Sequence, residues 1–574
     1  MRSLVGVLVA VGAAAGCSNA SVATSSSATA PVTISIVGTN DLHGALLPVD
    51  DRGGLARFAG YVANLRAVRA RDGAVLVVDA GDMWQGTIES NLTEGGVVVD
   101  AYNHLRYTAV AIGNHEFDFG PVGPPATPSA PADDPRGALK ARAAAARFPF
   151  LAANIIDEAT GRPVAWPNVS PSTTVEAAGV TVGIIGLTTA GTLNATIRAN
   201  TIGLSIAPLA ATAAAEATRL RAAGATIVVV TAHAGGSCRE FGQPENLTSC
   251  EAASEIVAVA EALGPGLVDV IVAGHTHAGM AHEMNGIAVI ESFSRGRAFG
   301  RVDLSMDPAT GRVLGREIHR PQDVCRFAEP GSARCAPPGR GGPAATYEGA
   351  LVTPDPEVGA IVERAVAAVT ALKAESLGVH VDRPMPRGGE ESPLGNFFVD
   401  AMLASSPGAD LAINNTDGGL RADLPAGPLT YGRLFEVFPF DNELVQIRLT
   451  GAELERVLGA HISRDRRLLG LAGARVDSRC QGSRLDVRLV RPSGAEIGDL
   501  ETVVVATTDF LVTTDLFAPV GREVRALSPG PVLREAMAAW LRRRGGVIQA
   551  ATFVDEARPR FPPRRTLPQS CRSD

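Results

Sequence analysis

The chain has 574 residues, which is enough for two or more domains with full-sized cores. Its composition of 46% hydrophobic and 20% charged residues excludes an intrinsically disordered chain. The formal net charge of -8 argues against a broad basic surface for a nucleic-acid polymer, so we expect a globular protein that acts on a small substrate.

The N-terminal segment predicts export. A single arginine precedes an apolar run, residues 4–16, that has the shape of a signal peptide and is too short to span a bilayer. The run leads into AAGC, which resembles a bacterial lipobox and predicts a signal peptide over residues 1–16 and a lipid anchor at Cys17. Ordinary secretory cleavage stays open, because Ala14 stands where Leu is usual. Residues 17–30 are predicted to form a flexible tether.

The cysteine count agrees with export to the periplasm, the outer membrane or the cell surface. The sequence has seven cysteines, and setting Cys17 aside leaves an even number, which suits an oxidising compartment. Closeness in sequence favours two pairs and leaves a third: Cys238 with Cys250, Cys325 with Cys335, and Cys480 with Cys571. Other pairings stay open, because spacing does not determine connectivity. No later segment is apolar for long enough to span a membrane, so we expect membrane contact only through Cys17.

From residue 31 onward, short runs rich in Val and Ile alternate with helical stretches rich in Ala and Arg, which predicts an α/β layered sheet. Each of five runs is followed at once by a polar cluster: TISIV by GTNDLHG, AVLVVD by AGDMWQG, YTAVAI by GNHEFD, TIVVV by TAHAGG, and DVIVA by GHTH. In such a sheet, ligands bind beyond the carboxyl ends of the strands. We therefore expect the five clusters to converge.

The clusters carry side chains that can bind divalent cations. Two carboxylates, one amide and five imidazoles are available: Asp41, His43, Asp82, Asn114, His115, His233, His275 and His277. Asp41 and His43 are two residues apart, which on an extended segment places both side chains on one side, and His275 and His277 repeat this spacing. Mixed nitrogen and oxygen ligands suit Zn, Mn, Co and similar ions better than Mg or Ca.

In order and spacing, the five motifs resemble those of the calcineurin-like metallophosphoesterases, in the periplasmic 5'-nucleotidase branch. The resemblance implies a layered β-sandwich domain flanked by helices, over residues 31–320, with two divalent metal ions. It implies that one ion is held by Asp41, His43, Asp82 and His277, and the other by Asp82, Asn114, His233 and His275. Two such cations lower the pKa of a bound water and clamp the oxygens of an in-line displacement at phosphorus.

One histidine of the motifs is left over. His115 lies three residues before Asp118 in GNHEFD, and this resembles the His-Asp dyad of the family. The carboxylate would set the imidazole tautomer and support its positive charge, so that His115 stabilises the transition state or protonates the leaving group. The plainer alternative makes Asp118 an ordinary loop carboxylate. The predicted catalytic residues are therefore His115, Asp118 and Asn114.

After about residue 320 the character of the chain changes. A Pro/Gly-rich linker is predicted over residues 321–354, followed by a long helix over residues 355–378 that stops at Gly378. The resemblance implies that this helix joins the catalytic domain to a second, α+β substrate-binding domain, over residues 379–557, whose rotation would deliver substrate to the metals. The remaining residues, 558–574, form an Arg/Pro-rich tail.

The second domain resembles the 5'-nucleotidase C-terminal domain in segments such as ESPLGNFFVDAM, VFPFDNELV and ATTDFLVTTD. A nucleoside needs two flat apolar faces for its base and a polar group for its ribose. The resemblance implies that Phe440 and Phe510 are the stacking pair, Arg421 the phosphate-side arginine, and Asp515 the ribose-binding aspartate. Without the resemblance, both phenylalanines would be taken as core residues.

Three departures from the family pattern predict a reshaped pocket. Thr416 stands where Asn is expected, unless Asn415 takes that role. A Thr-Thr pair, 513–514, replaces the Gly-Gly before Asp515, and the spacing from the preceding phenylalanine is one residue short. Arg387 lies one position away from a second expected arginine. Because Thr adds bulk and restricts φ where Gly would not, phosphoester hydrolysis is a firmer prediction than nucleotide specificity.

We therefore predict an exported dimetal phosphohydrolase, a 5'-nucleotidase that cleaves nucleoside monophosphates or related nucleotides to nucleoside and phosphate. Alternatives that keep the metals are a 2',3'-cyclic nucleotide phosphodiesterase, a nucleotide-sugar hydrolase and a thiosulfohydrolase-like relative. An alternative of another class is a non-catalytic exported protein that binds a nucleotide or a metal. The intact ligand set and His115 argue against that alternative. The sequence carries no signal for an oligomeric state.

Overall fold

The fold is that of a computed structural model, which describes residues 6–8, 30–388, 392–416, 418–463, 469–481, 484–554, 559–561 and 571. The predicted lipidation site Cys17 lies outside these residues, as do most residues of the predicted signal peptide, tether and tail. Within them, two mixed α/β domains are joined by a long helix. The predicted fold class is thereby confirmed.

Two large sheets form the first domain. One has seven strands, in the order Arg312–Asp323, Ala298–Asp307, Val32–Thr39, Gly73–Asp79, Ala109–Ala111, Phe150–Leu151 and Val169–Ser170. The other has six, in the order Gly279–Met284, Ile287–Ser292, Val270–Ala273, Ile227–His233, Val180–Thr188 and Ser172–Ala177. The central strands of each sheet are parallel, so their carboxyl ends share one edge. Smaller sheets are formed by Leu204–Ile206, Ile155–Asp157 and Arg162–Pro163, and by Thr346–Tyr347 and Ala350–Leu351.

The two large sheets pack face to face. Apolar side chains from both, such as Ile34, Ile36, Val229 and Val272, form the core between them. Helices cover the outer faces: Leu55–Arg69, Gly96–Leu105 and Gly137–Ala145 on the seven-stranded sheet, and Leu209–Ala222 and Glu255–Ala262 on the six-stranded sheet. Central strands that are buried on both faces explain the continuous Val/Ile runs in the sequence. The result is the helix-flanked β-sandwich that the resemblance implied.

The linking helix, Pro356–Ala374, connects the two cores. Asp355 caps its start by accepting hydrogen bonds from two backbone N–H groups of the first turn. Val358 packs into the core of the first domain and Val369 into that of the second. The helix ends before its predicted stop, because Gly378 lies in the following strand, with φ 71, at a shift in strand register. Gly378 therefore adopts its left-handed conformation at an irregularity in the strand and not at the end of the helix.

The described residues of the second domain form three sheets. Four strands lie in the order Leu444–Thr450, Thr502–Thr508, Leu411–Asn415 and Leu469–Ala472; three lie in the order Gly427–Thr430, Ser376–Val381 and Gly546–Ile548; and a hairpin pairs Arg475–Gln481 with Arg484–Val490. The helices around them are Pro393–Ala404, Tyr431–Val437, Gly451–Ser463, Asp509–Thr513 and Leu533–Arg544. Ile88, on the short helix Ile88–Asn91 of the first domain, packs into the core of the second.

The three predicted disulfides are confirmed: Cys238–Cys250, Cys325–Cys335 and Cys480–Cys571. The first closes the loop that follows the strand ending in His233. Structural disulfides persist in oxidising compartments, so the three bonds indicate an extracytoplasmic protein. Among the helices of the described residues, none is both long and apolar enough to cross a bilayer.

Candidate metal centre and active site

The seven predicted metal ligands lie at the carboxyl ends of five strands. They are Asp41 and His43 after Val32–Thr39, Asp82 after Gly73–Asp79, Asn114 after Ala109–Ala111, His233 at the end of Ile227–His233, and His275 and His277 after Val270–Ala273. Five of them have a left-handed backbone, with φ between 50 and 81: Asp41, His43, Asp82, His275 and His277. A non-glycine residue in this region costs roughly 1 to 3 kcal/mol, and such strain is typical of functional sites.

Asp41, His43 and His277 form one group. His277 Nε2 lies 3.2 Å from Asp41 Oδ1 and 3.0 Å from His43 Nε2. Asp41 Oδ2 accepts hydrogen bonds from the backbone N–H of His275 and from Asn40 Nδ2. The contact of Asp41 Oδ1 with His277 Nε2 is not a well-aligned hydrogen bond, and no other donor among the described residues hydrogen-bonds this buried oxygen. A buried carboxylate oxygen without a donor is costly, and a cation among these three side chains would satisfy it.

Asp82, His233, His275 and Asn114 form the second group. His233 Nε2 lies 3.2 Å from Asp82 Oδ2, 3.1 Å from Asn114 Oδ1 and 3.1 Å from His275 Nδ1. Asp82 Oδ2 also lies 4.0 Å from His43 Nε2, so this carboxylate faces both groups. A carboxylate in that position can be shared by two ions. The carboxylate, amide and imidazole donors fit a pair of divalent ions such as Zn, Mn or Co.

Backbone carbonyls orient two of the imidazoles. His43 Nδ1 donates to Gln85 O at 2.9 Å, and His233 Nδ1 donates to Ala80 O at 2.9 Å. A carbonyl oxygen can only accept a hydrogen bond, so each ring carries a proton on Nδ1. Nε2 of each ring then faces the group of metal-binding side chains to which that histidine belongs. Metal-binding histidines are oriented in this way.

The turn that carries Asp82 depends on two glycines. Gly81 has φ 92, and a Cβ at this position would lie 2.7 Å from Gly113 N. A Cβ on Gly113 would in turn lie 2.3 Å from Asp82 Oδ1. Glu116 joins the two turns by accepting the backbone N–H groups of Asp82 and Gly113 at 2.8 and 2.7 Å. Burial, followed by the charge of Asp82, raises the pKa of Glu116 to about 8.

Burial and neighbouring charges set the protonation of these side chains in the metal-free protein. Burial and the charge of His233 lower the pKa of His275 to about 4, and burial holds that of His43 well below its usual value. Burial alone would raise the pKa of Asp41, but the contact with His277 and the charges of the nearby imidazoles outweigh burial and lower the pKa to about 2. Against the effect of burial, Asp82 raises the pKa of His233 to about 10.

His115 lies beside the second group and pairs with Asp118. His115 Nδ1 donates to Asp118 Oδ2 at 2.6 Å, and Thr196 Oγ1 donates to Asp118 Oδ1 at 2.8 Å. His115 Nε2 lies 4.0 Å from Asp82 Oδ2 and accepts from Arg421 Nη2 at 3.3 Å. Burial lowers the pKa of His115, but the charges of Asp118 and Asp82 outweigh it and leave the pKa raised. Asp118 is therefore a buried partner of an imidazole rather than a solvated loop carboxylate.

A cavity of about 360 Å³ lies in front of these groups, between the two domains. The second domain lines it with Arg421, Phe440 and Phe510. The Phe440 ring centroid lies 5.8 Å from that of His115, and Arg421 Cζ lies 5.1 Å from the Phe440 centroid. An aromatic face and a guanidinium thus stand opposite the candidate metal centre.

The sequence does not predict the contacts between the two domains at this cavity. Gln85 Nε2 and Asn91 Nδ2 both donate to Pro439 O, at 3.1 and 3.2 Å. Gln85 stands in the DMWQG cluster, but nothing in the sequence pairs a side chain with a distant backbone carbonyl. Thr196, which holds Asp118, was missed for the same reason, because it lies outside all five clusters.

Asp515 does not line the cavity. The helix Asp509–Thr513 is followed by a second short helix, Asp515–Val520, in which Asp515 is exposed, while Phe510 lines the cavity. Thr514 caps the second helix by accepting the backbone N–H of Leu516. The Thr-Thr pair thus lies at the start of a new helical turn, whose first residue is the exposed Asp515.

The structure also shows where the residues of the other two departures, Thr416 and Arg387, lie. Thr416 is buried, and Asn414 and Asn415 line the cavity instead. Asn414 Nδ2 is buried and, within the described residues, donates no hydrogen bond. Arg387 lies in a neighbouring cleft, which it shares with Arg421.

Each of the two domains matches a known protein family. Residues 34–279 match the calcineurin-like phosphoesterase family, and residues 369–518 match the 5'-nucleotidase C-terminal domain family. A crystal structure of a 5'-nucleotidase precursor from Thermus thermophilus superposes with a TM-score of 0.69 at 25% identity, over 92% of this chain and 99% of that chain.

Two relatives are similar in sequence over most of this chain. Protein UshA of Yersinia enterocolitica is 25% identical over 484 residues, which cover 80% of this chain and 79% of UshA. Endonuclease YhcR of Bacillus subtilis is 25% identical over 445 residues, which cover 75% of this chain and 33% of the endonuclease. The chain thus spans about a third of that endonuclease.

Proposed function

Since the chain belongs to the 5'-nucleotidase family, with a calcineurin-like phosphoesterase domain followed by a 5'-nucleotidase C-terminal domain, we propose that it hydrolyses nucleoside monophosphates and related nucleotides to nucleoside and phosphate. One observation carries the proposal. The two groups of metal-binding side chains and the His115–Asp118 pair face a cavity whose opposite wall holds Arg421, Phe440 and Phe510. This supports a phosphate-cleaving side and a nucleoside-binding side in one site.

In this proposal Asp41, His43, Asp82 and His277 would hold one divalent ion, and Asp82, Asn114, His233 and His275 would hold the other. Such a pair supplies Lewis acidity for an in-line displacement at phosphorus. The contribution of the chain is to hold the ligands rigidly. The left-handed turns and the hydrogen bonds from His43 Nδ1 and His233 Nδ1 support that rigidity.

We assign His115 a catalytic role rather than a ligand role. Its Nδ1 proton is held by Asp118, and once the imidazole is protonated a second time its Nε2, which otherwise accepts from Arg421, carries a proton that can be given to the leaving oxygen of the nucleoside. Asp118 compensates the positive charge that the imidazole then carries. Arg421, whose Nη2 lies 3.3 Å from the same Nε2, is a donor for the phosphoryl oxygens.

Phe440 and Phe510 are proposed to hold the base between apolar faces, as both line the cavity. The ribose requires a polar partner, and the exposed position of Asp515 does not support that role in this arrangement. Asn414 is proposed instead, because this residue lines the cavity and its Nδ2 donates to no acceptor among the described residues.

Phosphate release across a panel of nucleotides tests the proposal. We expect metal-stripped protein to be inactive and protein restored with Mn, Co or Zn to release phosphate from nucleoside 5'-monophosphates. His115→Ala should lower kcat by about 100-fold or more while metal content is unchanged. The matched control is His380→Ala, which removes an exposed histidine of the second domain. If metal content falls together with activity in His115→Ala, the catalytic assignment is wrong.

The same panel separates the alternatives, when it includes 2',3'-cyclic nucleotides, nucleotide sugars and a thiosulfate ester. Preferential cleavage of one of these would replace the nucleoside monophosphate as substrate and keep the metal chemistry. Protein with full metal content that cleaves none of them would instead support the non-catalytic binding protein.

We further propose that the protein is anchored to a membrane by lipid at Cys17. The three disulfides support an exported protein but do not bear on lipid attachment. Metabolic labelling with a fatty-acid probe should mark the wild-type protein and not Cys17→Ser. Equal labelling of both would refute the anchor.

A further inference from the structure

A buried glutamate lies between two of the loops that carry the candidate metal ligands. Glu291 is on the strand Ile287–Ser292 and is only 1% exposed. Its carboxyl contacts the loop that follows His233 and also the GHTH turn, which carries His275 and His277. In the described part of the chain, none of these histidines hydrogen-bonds the carboxyl. Glu291 therefore contacts the supports of both ligand groups without being a ligand itself.

The contacts of Glu291 form a closed set across the two loops. Thr276, between the two histidines of the GHTH turn, places Oγ1 2.6 Å from Glu291 Oε1 and 2.6 Å from Gly236 O. The backbone N–H of Gly236 donates to Glu291 Oε2 at 3.1 Å. The loops approach closely here, because a Cβ on Gly235 would lie 2.2 Å from Gly274 O and 2.7 Å from Glu291 Oε2. One carboxyl and one hydroxyl thus join the two loops.

The two contacts of the Thr276 hydroxyl require a second hydrogen. A hydroxyl has one hydrogen and a carbonyl oxygen has none, so the contact with Gly236 O at 2.6 Å uses the hydroxyl hydrogen. The equally short contact with Glu291 Oε1 would then join two oxygens with no hydrogen between them, unless the carboxyl supplies one. A protonated Glu291 supplies that hydrogen, and the hydrogen bonds then run from carboxyl to hydroxyl to carbonyl.

The surroundings of Glu291 favour the same neutral form. Among the residues that the structure describes, no arginine, lysine or histidine forms an ion pair with its carboxyl. Burial raises the pKa of Glu291 well above its usual value, and the charge of Asp41 acts in the same direction. The contacts with Thr276 and Gly236 act against burial but are outweighed. A buried carboxylate without a cation is costly, whereas a hydrogen-bonded neutral acid costs far less.

We propose that Glu291 is a positioning residue of the metal centre and acts as a neutral carboxylic acid. It donates to Thr276 and accepts from Gly236, and so holds the GHTH turn against the loop that follows His233. The inference rests on the proposed function, because this turn and this loop carry ligands of both ions. A displacement of Thr276 moves the histidines on either side of it. The role depends on the shape and hydrogen-bonding groups of the side chain and needs no negative charge.

Titration calorimetry of metal-stripped protein with Mn²⁺ tests the role. Glu291→Gln keeps a donor for Thr276 and an acceptor for Gly236 N, so its dissociation constant should stay within about twofold of wild type. Glu291→Ala removes both groups and should bind Mn²⁺ roughly 10- to 100-fold more weakly, as is usual when a group that orients metal ligands is lost. Glu317→Ala, at an exposed position of the strand Arg312–Asp323, is the control and should bind as wild type does.

A second pair of variants keeps the test decisive if Glu291→Ala does not fold. Thr276→Ser keeps the hydroxyl and should bind Mn²⁺ as wild type does. Thr276→Val has nearly the same shape but no hydroxyl, and it should bind Mn²⁺ about tenfold more weakly. Wild-type affinity in Thr276→Val overturns the inference. A loss of about tenfold in Glu291→Gln also overturns it, because that result would mean that the negative charge matters.

Infrared spectroscopy reads the protonation state without metal or activity. At pH 7, the difference spectrum between wild type and Glu291→Gln should contain the carbonyl stretch of a protonated carboxylic acid. Bands of an ionised carboxylate in its place overturn the neutral assignment. If wild type binds Mn²⁺ but cleaves no substrate, the proposed function fails and the Mn²⁺ affinities still decide the role of Glu291. If wild type binds no divalent ion, both are refuted.

Discussion

Replacement of Asp118 by Asn is the sharpest test of the proposed chemistry. Asparagine keeps the size of the side chain, and its carbonyl can still accept the His115 Nδ1 proton that Asp118 Oδ2 accepts at 2.6 Å. What is lost is the negative charge beside a buried imidazole. A hydrogen bond to a charged partner contributes about 1.5 to 3 kcal/mol. At about 1.36 kcal/mol per factor of ten, kcat should fall between roughly 10-fold and 150-fold.

The assay is phosphate release from AMP at saturating substrate, with metal content measured on the same samples. Asp134→Asn is the control, because Asp134 is exposed and pairs with Lys140 at 2.7 Å on the surface. It should leave kcat unchanged. If Asp118→Asn keeps the wild-type kcat with full metal content, the dyad has no catalytic role. If its metal content falls in proportion to kcat, Asp118 acts by supporting the ligands, and the reasoning about His115 is refuted.

Three further outcomes are expected. Asp82→Ala should lose bound metal, with elemental analysis finding fewer than about two ions per chain, because its carboxylate faces both ligand groups; two retained ions would contradict this. Phe440→Ala should raise KM for AMP by roughly tenfold, as base stacking is worth about 1 to 3 kcal/mol, and should not change KM for glycerol phosphate, which has no base. Asp303→Asn should lower the free energy of unfolding by about 3 kcal/mol in urea at pH 7, because it removes the carboxylate that pairs with both Arg69 and the buried Arg301 and leaves Arg301 only its pair with Glu348. Burial alone would raise the pKa of Asp303, but hydrogen bonds from His319, Arg301 and Ser35 outweigh it and hold the pKa well below its usual value. Since a depressed pKa stabilises the fold only where the unfolded carboxyl is ionised, the difference between wild type and Asp303→Asn should shrink as pH falls below about 4, and a difference that is constant with pH would contradict the assignment.

The amino-acid sequence by itself determined the fold class and the composition of the ligand groups. Each ligand follows directly after a strand, and parallel strands bring their carboxyl ends to one edge, so convergence of Asp41, Asp82 and His233 follows from local order. The His115–Asp118 pair was equally predictable, because its members are three positions apart on a short helical turn. The disulfide between Cys238 and Cys250 belongs to the same class of short-range features.

Only the tertiary structure decided how the two domains complete the site. The contact of Arg421 with His115 joins residues 306 positions apart, and that of Gln85 with Pro439 joins residues 354 apart. Such contacts depend on the packing of the linking helix into both cores, which no local pattern encodes. The exposed position of Asp515 is likewise seen only in the tertiary structure. A local pattern can state which groups a chain offers, whereas long-range packing decides which of them face one another.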